Sequence, residues 1–143
     1  MKELSIDVKV ENLDTVLEFI EGELDAVPIK LKTQIAIAVE EIFVNIVNYA
    51  YTPVSESNSS VGDNVSFGNV IIRIAVGDEV VIEFEDKGKP YNPLEKEDPD
   101  VTLGAEEREI GGLGIFIVKK FMDAVEYRYE DDKNLLTLYK TVL

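Results

Sequence analysis

Two short runs of β-branched residues, joined through a pair of turn-forming residues, constrain the fold more than any other feature of the sequence. They cover residues 70–76 and 80–84 and flank Gly77 and Asp78. This pattern predicts an antiparallel hairpin, because Gly and Asp readily adopt the backbone angles that a two-residue turn requires. A sheet built from hairpins argues against a fold in which strands and helices strictly alternate.

The other predicted elements agree with a two-layer design. Apolar residues recur at every second position in the predicted strands and at every third or fourth in the predicted helices. The result is an α+β two-layer sandwich, a mixed but mostly antiparallel sheet covered on one face by helices. Besides the first hairpin, we predict a strand over 4–10, a helix over 13–24 with Asn12 as its N-cap, a long helix over 28–50, a short helix over 115–122, and a second hairpin from 124–129 and 135–142 around a turn at 131–134.

Composition narrows the class of protein. The 143 residues fit a single domain, 1–143, with a flexible Ser- and Asn-rich loop over about 52–69. The absence of Cys and His argues against disulfides, thiol chemistry and zinc. No apolar run approaches the roughly 20 residues of a membrane span, and residues 1–10 do not resemble a secretory signal, so we expect a cytoplasmic protein. The net charge of −15 disfavours nucleic acid binding, although it serves equally as a solubility feature.

Three segments carry residues suited to chemistry. The first is on the long helix, where Glu41, Asn45 and Asn48 follow one another at intervals of four and three, on one face of an otherwise apolar segment. Such a polar stripe faces a ligand, a partner or simply water. The two asparagines favour a ligand, because Asn is a poor helix former and an ordinary surface would carry Lys, Glu or Gln.

The second and third segments are rich in glycine. Asp86 and Gly88 follow the strand at 80–84, where a carboxylate at a strand end presents an acceptor to a ligand. The alternative is an ordinary turn. Residues 111–114, Gly-Gly-Leu-Gly, open the short helix, and exposed N–H groups there form a phosphate cradle. The alternative is a helix start that is merely rich in glycine.

Taken together, the three segments resemble the N, G1 and G2 boxes of the GHKL ATPase superfamily. Glu-x-x-x-Asn on a long helix, Asp-x-Gly at a strand end and Gly-x-Gly at a helix start occur in that order. The resemblance covers about residues 5–140 and implies the Bergerat-type, histidine-kinase-like ATPase fold. Within the superfamily, the stretch 111–123 is most similar to the small anti-sigma-factor serine/threonine kinases of bacterial partner-switching systems.

The resemblance implies a role for each matching residue. Asn45 would hold Mg, Glu41 would be the general base, and Asp86 would accept a hydrogen bond from the adenine amino group of ATP. Residues 94–111 would form a lid, in which Arg108 would reach the γ-phosphate. Thr137 on the last strand is a weaker candidate for the adenine pocket. The full nucleotide-binding set is Asn45, Asn48, Asp86, Gly88, Arg108, Gly112, Leu113, Gly114 and Thr137.

Two positions depart from the family pattern. Tyr49 stands where the family often has a histidine four residues after the asparagine, and Pro90 replaces the second glycine of the G1 box. Neither substitution removes a group required for ATP binding. Tyr49 affects the prediction of phosphoryl transfer instead, so ATP binding and phosphoryl transfer are predicted separately.

The resemblance implies a protein kinase that phosphorylates a small anti-anti-sigma partner and sequesters a sigma factor. Homodimerisation through the first strand is also implied. The main alternative is a nucleotide-dependent protein-binding switch without kinase activity. A third alternative is a ligand-free α+β domain, which the combination of three motifs disfavours.

Overall fold

The computed structural model describes residues 1–50, 68–95 and 113–143, which form an antiparallel sheet with three α-helices. None of the helices in these residues is long and apolar enough to cross a bilayer. The strands are β1 Lys2–Asp7, β2 Asn69–Val76, β3 Glu79–Asp86, β4 Ala124–Glu130 and β5 Lys133–Thr141. The helices are α1 Leu13–Gly22, α2 Ile29–Asn45 and α3 Leu113–Phe121, with a π-helical turn, Ile46–Ala50, directly after α2 and 3-10 turns at Val10–Asn12 and Pro93–Glu95.

The five strands lie in the order β1-β2-β3-β5-β4. All four pairings among the described strands are antiparallel, so the mixed character expected for the sheet is not seen there. The hairpin at Gly77 and Asp78 has the predicted two-residue turn. The predicted α+β two-layer sandwich is confirmed.

The core lies between the helices and one face of the sheet. Alternate residues of β2 and β3 are buried, as expected for strands with one face against helices. Each fully buried aliphatic or aromatic side chain contributes roughly 1.5–3 kcal/mol of hydrophobic stabilisation. From α2 the buried residues are Ile35, Ala38, Val39, Ile42 and Phe43, and opposite them the sheet contributes Ile72, Ile74, Ile82, Phe84 and Leu138.

The N-terminal segment differs from the prediction. β1 ends at Asp7 rather than at residue 10, because the chain leaves the sheet there and enters a 3-10 turn at Val10–Asn12. Val8 is buried, but Val10 is 57% exposed. Asn12 precedes α1 without capping it, since its side-chain amide donates to the Asp7 carbonyl oxygen at 2.9 Å.

The C-terminal hairpin has a shorter turn than predicted. Asp131 and Asp132 have positive φ angles of 55° and 62°, as both central residues of a two-residue type I′ turn require. Lys133 and Asn134 therefore belong to β5 rather than to the turn. This difference places Asn134 on the sheet, next to the site described below.

Candidate functional site

The polar stripe on α2 lies at the end of that helix. Glu41 and Asn45 are half-buried, whereas Asn48 is exposed. Asn45 is the last residue of α2, and the π-helical turn starts at the next residue. Such π-helical turns are rare and frequently mark functional sites. The stripe therefore runs from a partly enclosed carboxylate to a solvent-exposed amide.

Glu41 lies against the start of α3. A Cβ atom at Gly114 would lie 3.3 Å from the Glu41 carboxyl carbon and closer still to its Oε2 atom, so glycine leaves room for this carboxylate. Burial raises the pKa of Glu41, and the neighbouring Glu40 raises it further. A carboxylate whose pKa is shifted upward in this way is suited to accept a proton.

Asp86 is the last residue of β3 and is only 4% exposed. Its Oδ1 atom accepts hydrogen bonds from the Gly88 backbone N–H and from Asn134 Nδ2, each at 2.9 Å. Burial raises the pKa of Asp86, while the hydrogen bonds from Asn134 and Gly88 oppose that shift. The carboxylate is thus a fixed acceptor in a largely apolar setting.

Asn45 and Asp86 line the same cleft, between α2 and the sheet. The space enclosed in the cleft is small, about 20 Å³, well below the roughly 300–1,000 Å³ of small-ligand pockets. Its walls are mainly apolar and aromatic, with a few polar groups among them. The lining residues are Ile42, Asn45, Ile46, Asp86, Tyr91, Pro93, Tyr127, Asn134 and Leu136.

Thr137 lies elsewhere. Residues directly opposite one another in antiparallel strands share a face, and Thr137 is paired with Glu83 and Glu126 on the face away from the helices. It lines a separate surface groove with Arg128 and Leu135. The structure therefore does not bring Thr137 to the cleft, and its neighbour Leu136 is found there instead.

Three cleft residues were missed by the sequence prediction. Asn134 lies directly opposite Asp86 in the β3–β5 register, and Tyr91 and Tyr127 both contact it through hydrogen bonds. The available signal was the pair of acidic residues before Lys133. If Asp131 and Asp132 are taken as the whole turn, the sequence places Asn134 on the following strand.

Several predicted residues fall outside the described part of the chain. Arg108 and Gly112 are among them, as are most of the predicted lid and nearly all of the predicted 52–69 loop. Leu113 and Gly114 are described as the first two residues of α3, and Gly88 is a buried residue beside Asp86. The structure thus brings together Asn45 and Asp86 at the cleft, with Gly88 hydrogen-bonded to Asp86, and it places Glu41 against Gly114 one helical turn from Asn45.

The fold and the cleft define the class of this protein as an α+β sandwich domain with a cleft between a long helix and an antiparallel sheet. Residues 6–140 match the histidine kinase-like ATPase domain, and the chain belongs to this family. The predicted membership of this ATPase superfamily is confirmed.

Two individual proteins illustrate the relationship. The chain is 27% identical over 109 residues to the serine/threonine-protein kinase BtrW of Bordetella bronchiseptica, covering 76% of this chain and 70% of BtrW. It also resembles the crystal structure of the RsbU and RsbW domains of Rv1364c from Mycobacterium tuberculosis, with a TM-score of 0.63 and 14% identity. That match covers 99% of this chain but only 33% of the mycobacterial chain, about a third of its length, and it supports the fold alone.

Proposed function

We propose that this domain is a cytoplasmic serine/threonine protein kinase that binds Mg-ATP in the cleft between α2 and the sheet. The observation that carries the proposal is the position of Asn45 and Asp86 on one cleft, with Glu41 one turn away against the start of α3. Membership of the histidine kinase-like ATPase family and the similarity to a serine/threonine-protein kinase support it.

The adenine ring would occupy the apolar part of the cleft. Ile42 of α2 and Ile46 of the π-helical turn lie on one side, and Leu136 of β5 contributes to the wall formed by the sheet. Apolar walls favour a planar ring, and the buried carboxylate of Asp86 offers an acceptor for its amino group. Gly88, buried next to Asp86, would lie close to the ring.

The phosphates would extend towards Glu41, Asn45 and α3. With a net charge of −15, this protein needs local help to bind a triphosphate, and the N-terminal N–H groups of a helix provide it. The backbone around Leu113 and Gly114 starts α3 and meets Glu41. Gly112, Arg108 and Asn48 remain predicted contributors to this end of the site.

The donor set fits magnesium. In the described residues there is no group of three His, Cys, Asp or Glu side chains that would form a metal cage. Mg²⁺ typically takes one or two protein oxygens and completes its shell with phosphates and water, and the Asn45 side chain offers such an oxygen at the cleft. When bound, Mg²⁺ would neutralise phosphate charge and hold the triphosphate in position for transfer.

Phosphoryl transfer would proceed from ATP to a hydroxyl of the partner protein. The hydroxyl oxygen attacks the γ-phosphorus, the bond to the β–γ bridging oxygen breaks, and ADP leaves. Glu41 would accept the hydroxyl proton, and the raised pKa of its carboxyl supports that role. The products are ADP and a phosphorylated serine or threonine.

The partners we propose are a small anti-anti-sigma protein as phosphoacceptor and a sigma factor that the kinase sequesters. A strongly acidic surface would suit a partner with a basic face. A homodimer formed through β1 is also proposed, since β1 lies at an edge of the sheet and an edge strand offers unpaired backbone groups to a second copy.

Radiolabelled γ-phosphate transfer to a candidate partner tests the proposal. Glu41→Ala should lower the transfer rate roughly 10²- to 10⁴-fold while Mg-ATP still binds, because only the base is removed. Glu40→Ala is the matched control, since this neighbouring carboxylate is exposed; it should transfer almost normally. A wild-type protein that binds Mg-ATP but phosphorylates no partner would instead support the nucleotide-dependent switch, which the tyrosine at position 49 favours.

A further inference from the structure

The side-chain amide of Asn134 has its orientation defined by its surroundings. It is 4% exposed. Its Nδ2 atom faces three acceptors, Asp86 Oδ1 at 2.9 Å, the Lys89 carbonyl at 3.0 Å and the Gly88 carbonyl at 3.3 Å. Because a flipped amide would place an oxygen against these three oxygens, only one orientation is compatible with the site.

The other end of the amide is held equally firmly. Asn134 Oδ1 accepts a hydrogen bond from the Tyr91 backbone N–H at 3.1 Å and another from the Tyr127 hydroxyl. Tyr127 lies on β4, and Tyr91 lies in the segment after β3. One amide therefore joins two neighbouring strands and the segment that follows β3.

This arrangement determines which oxygen of Asp86 meets a ligand. In the described residues, both hydrogen bonds to the Asp86 carboxylate end on Oδ1, from Gly88 N–H and from Asn134 Nδ2. Within the described residues, Oδ2 is therefore the oxygen available to a ligand in the cleft that Asp86 lines. Without the Asn134 amide, the carboxylate would lose one of the two donors that prevent its rotation.

We propose that Asn134 is a positioning residue that determines base specificity, acting through Asp86 and held in place by Tyr127. By engaging Oδ1, it presents Oδ2 as a fixed acceptor, which selects a purine with an amino group at its 6-position over one without it. The inference deepens the proposed function and rests on it. An Asn134 that merely tied the 87–91 segment to the sheet would affect all nucleotides alike.

The test compares the dissociation constants of Mg-ATP and of the Mg complex of purine riboside triphosphate, which lacks the 6-amino group. A hydrogen bond to a charged acceptor should give the wild-type protein a preference for ATP of about tenfold or more. In Asn134→Asp, a second carboxyl group faces Asp86, so the two groups share a proton and the fixed acceptor is lost. The preference should fall to about twofold or less.

Tyr127→Phe and a matched control complete the experiment. Tyr127→Phe removes one hydroxyl from Asn134 and should reduce the preference by an intermediate factor. Tyr139→Phe is the same substitution on the other face of the sheet, where the hydroxyl donates to Glu126 at 2.9 Å, and it should leave the preference unchanged. If Asn134→Asp does not fold, the nucleotide preference of Tyr127→Phe tests the role of Asn134.

The possible results separate this inference from the proposed function. A preference that persists in the folded variants, or an equal loss of affinity for both nucleotides, would show that Asn134 has only a structural role. A folded wild-type protein that binds neither triphosphate would instead overturn the proposed function. Wild-type binding without any preference would refute base recognition by Asp86 and, with it, the role of Asn134.

Discussion

Replacing Asp86 by asparagine separates ligand recognition from folding stability. An asparagine can keep both hydrogen bonds from Gly88 and Asn134 through its own Oδ1, so the local structure should survive. Its NH₂ group then replaces the second carboxylate oxygen, and the cleft receives a donor where it had an acceptor. Binding of an amino-bearing base should weaken although the fold is retained.

The expected shift in melting temperature follows from the size of the protein. For 143 residues, the entropy of unfolding near the midpoint is about 0.3 kcal/mol/K. Mg-ATP at about 100 times its dissociation constant should stabilise the wild-type protein by about 2.7 kcal/mol, or about 9 °C. Losing a hydrogen bond to a charged acceptor costs about 2 kcal/mol. At the same ATP concentration the shift of Asp86→Asn should then fall to about 3 °C.

In the ligand-free protein, Asp86→Asn should have the opposite effect on the melting temperature. Because the pKa of Asp86 is raised in the folded protein, the wild-type fold is favoured at acidic pH and loses that advantage as the pH rises through the folded pKa. Asp86→Asn removes the buried charge, so at neutral pH the ligand-free variant should melt above the wild type. The difference should shrink as the pH falls towards the ordinary pKa of aspartate.

Differential scanning fluorimetry with and without Mg-ATP measures both effects. Asp78→Asn provides the control, since Asp78 is exposed in the turn before β3; neither melting temperature should change much. An undiminished ATP shift in Asp86→Asn would refute contact between this carboxylate and the base. A lower melting temperature of the ligand-free variant at neutral pH would refute the conclusion that the buried charge is unfavourable.

Three further predictions concern other parts of the molecule. Gly114→Ala places a methyl group against the Glu41 carboxylate. Because that carboxylate is at the end of a flexible side chain, the melting temperature should change little, while γ-phosphate transfer should fall about tenfold or more because the general base is displaced. The rate of γ-phosphate transfer by the wild type should increase with pH between about pH 5 and pH 8. Burial raises the pKa of Glu41, and only the ionised carboxylate accepts a proton. A rate that does not change with pH would contradict the role of Glu41 as general base. Arg73→Leu removes ion pairs to Glu83 at 2.9 Å and Glu85 at 3.0 Å and should destabilise the fold by roughly 1–2 kcal/mol in urea denaturation, whereas an unchanged midpoint would show that these pairs contribute nothing.

The elements of the fold could be predicted because their patterns are strong and local. The long helix has apolar residues at regular helical intervals, and its extent to about residue 50 agrees with α2 and the π-helical turn that follows it. The hairpin at Gly77 and Asp78 also has a clear turn signal. The spacing of Glu41 and Asn45 places them on one helix face, and the structure has both half-buried near the cleft.

The faces of the last strand could not be predicted in the same way. Alternation identifies the buried face only when one face is polar, but Leu135 and Leu136 are adjacent and both are buried. The sequence is therefore compatible with either set of alternate residues facing the helices, and it does not show whether Thr137 or its neighbour Leu136 faces the cleft. Asn134 was missed because the turn length decides whether it is a loop residue or a strand residue, and two aspartates give a weaker turn signal than Asn-Gly.

The pairing of Asp86 with Asn134 also bears on local unfolding. The two residues face each other across β3 and β5, and neither of these strands lies at an edge of the sheet. Fluctuations that detach an outer strand such as β1 leave the β3–β5 ladder intact, so the middle of this ladder opens only when the centre of the sheet opens. In native-state hydrogen exchange, the amides in the middle of this ladder should therefore be among the slowest to exchange, and the sheet beside the cleft should stay assembled until the whole domain unfolds.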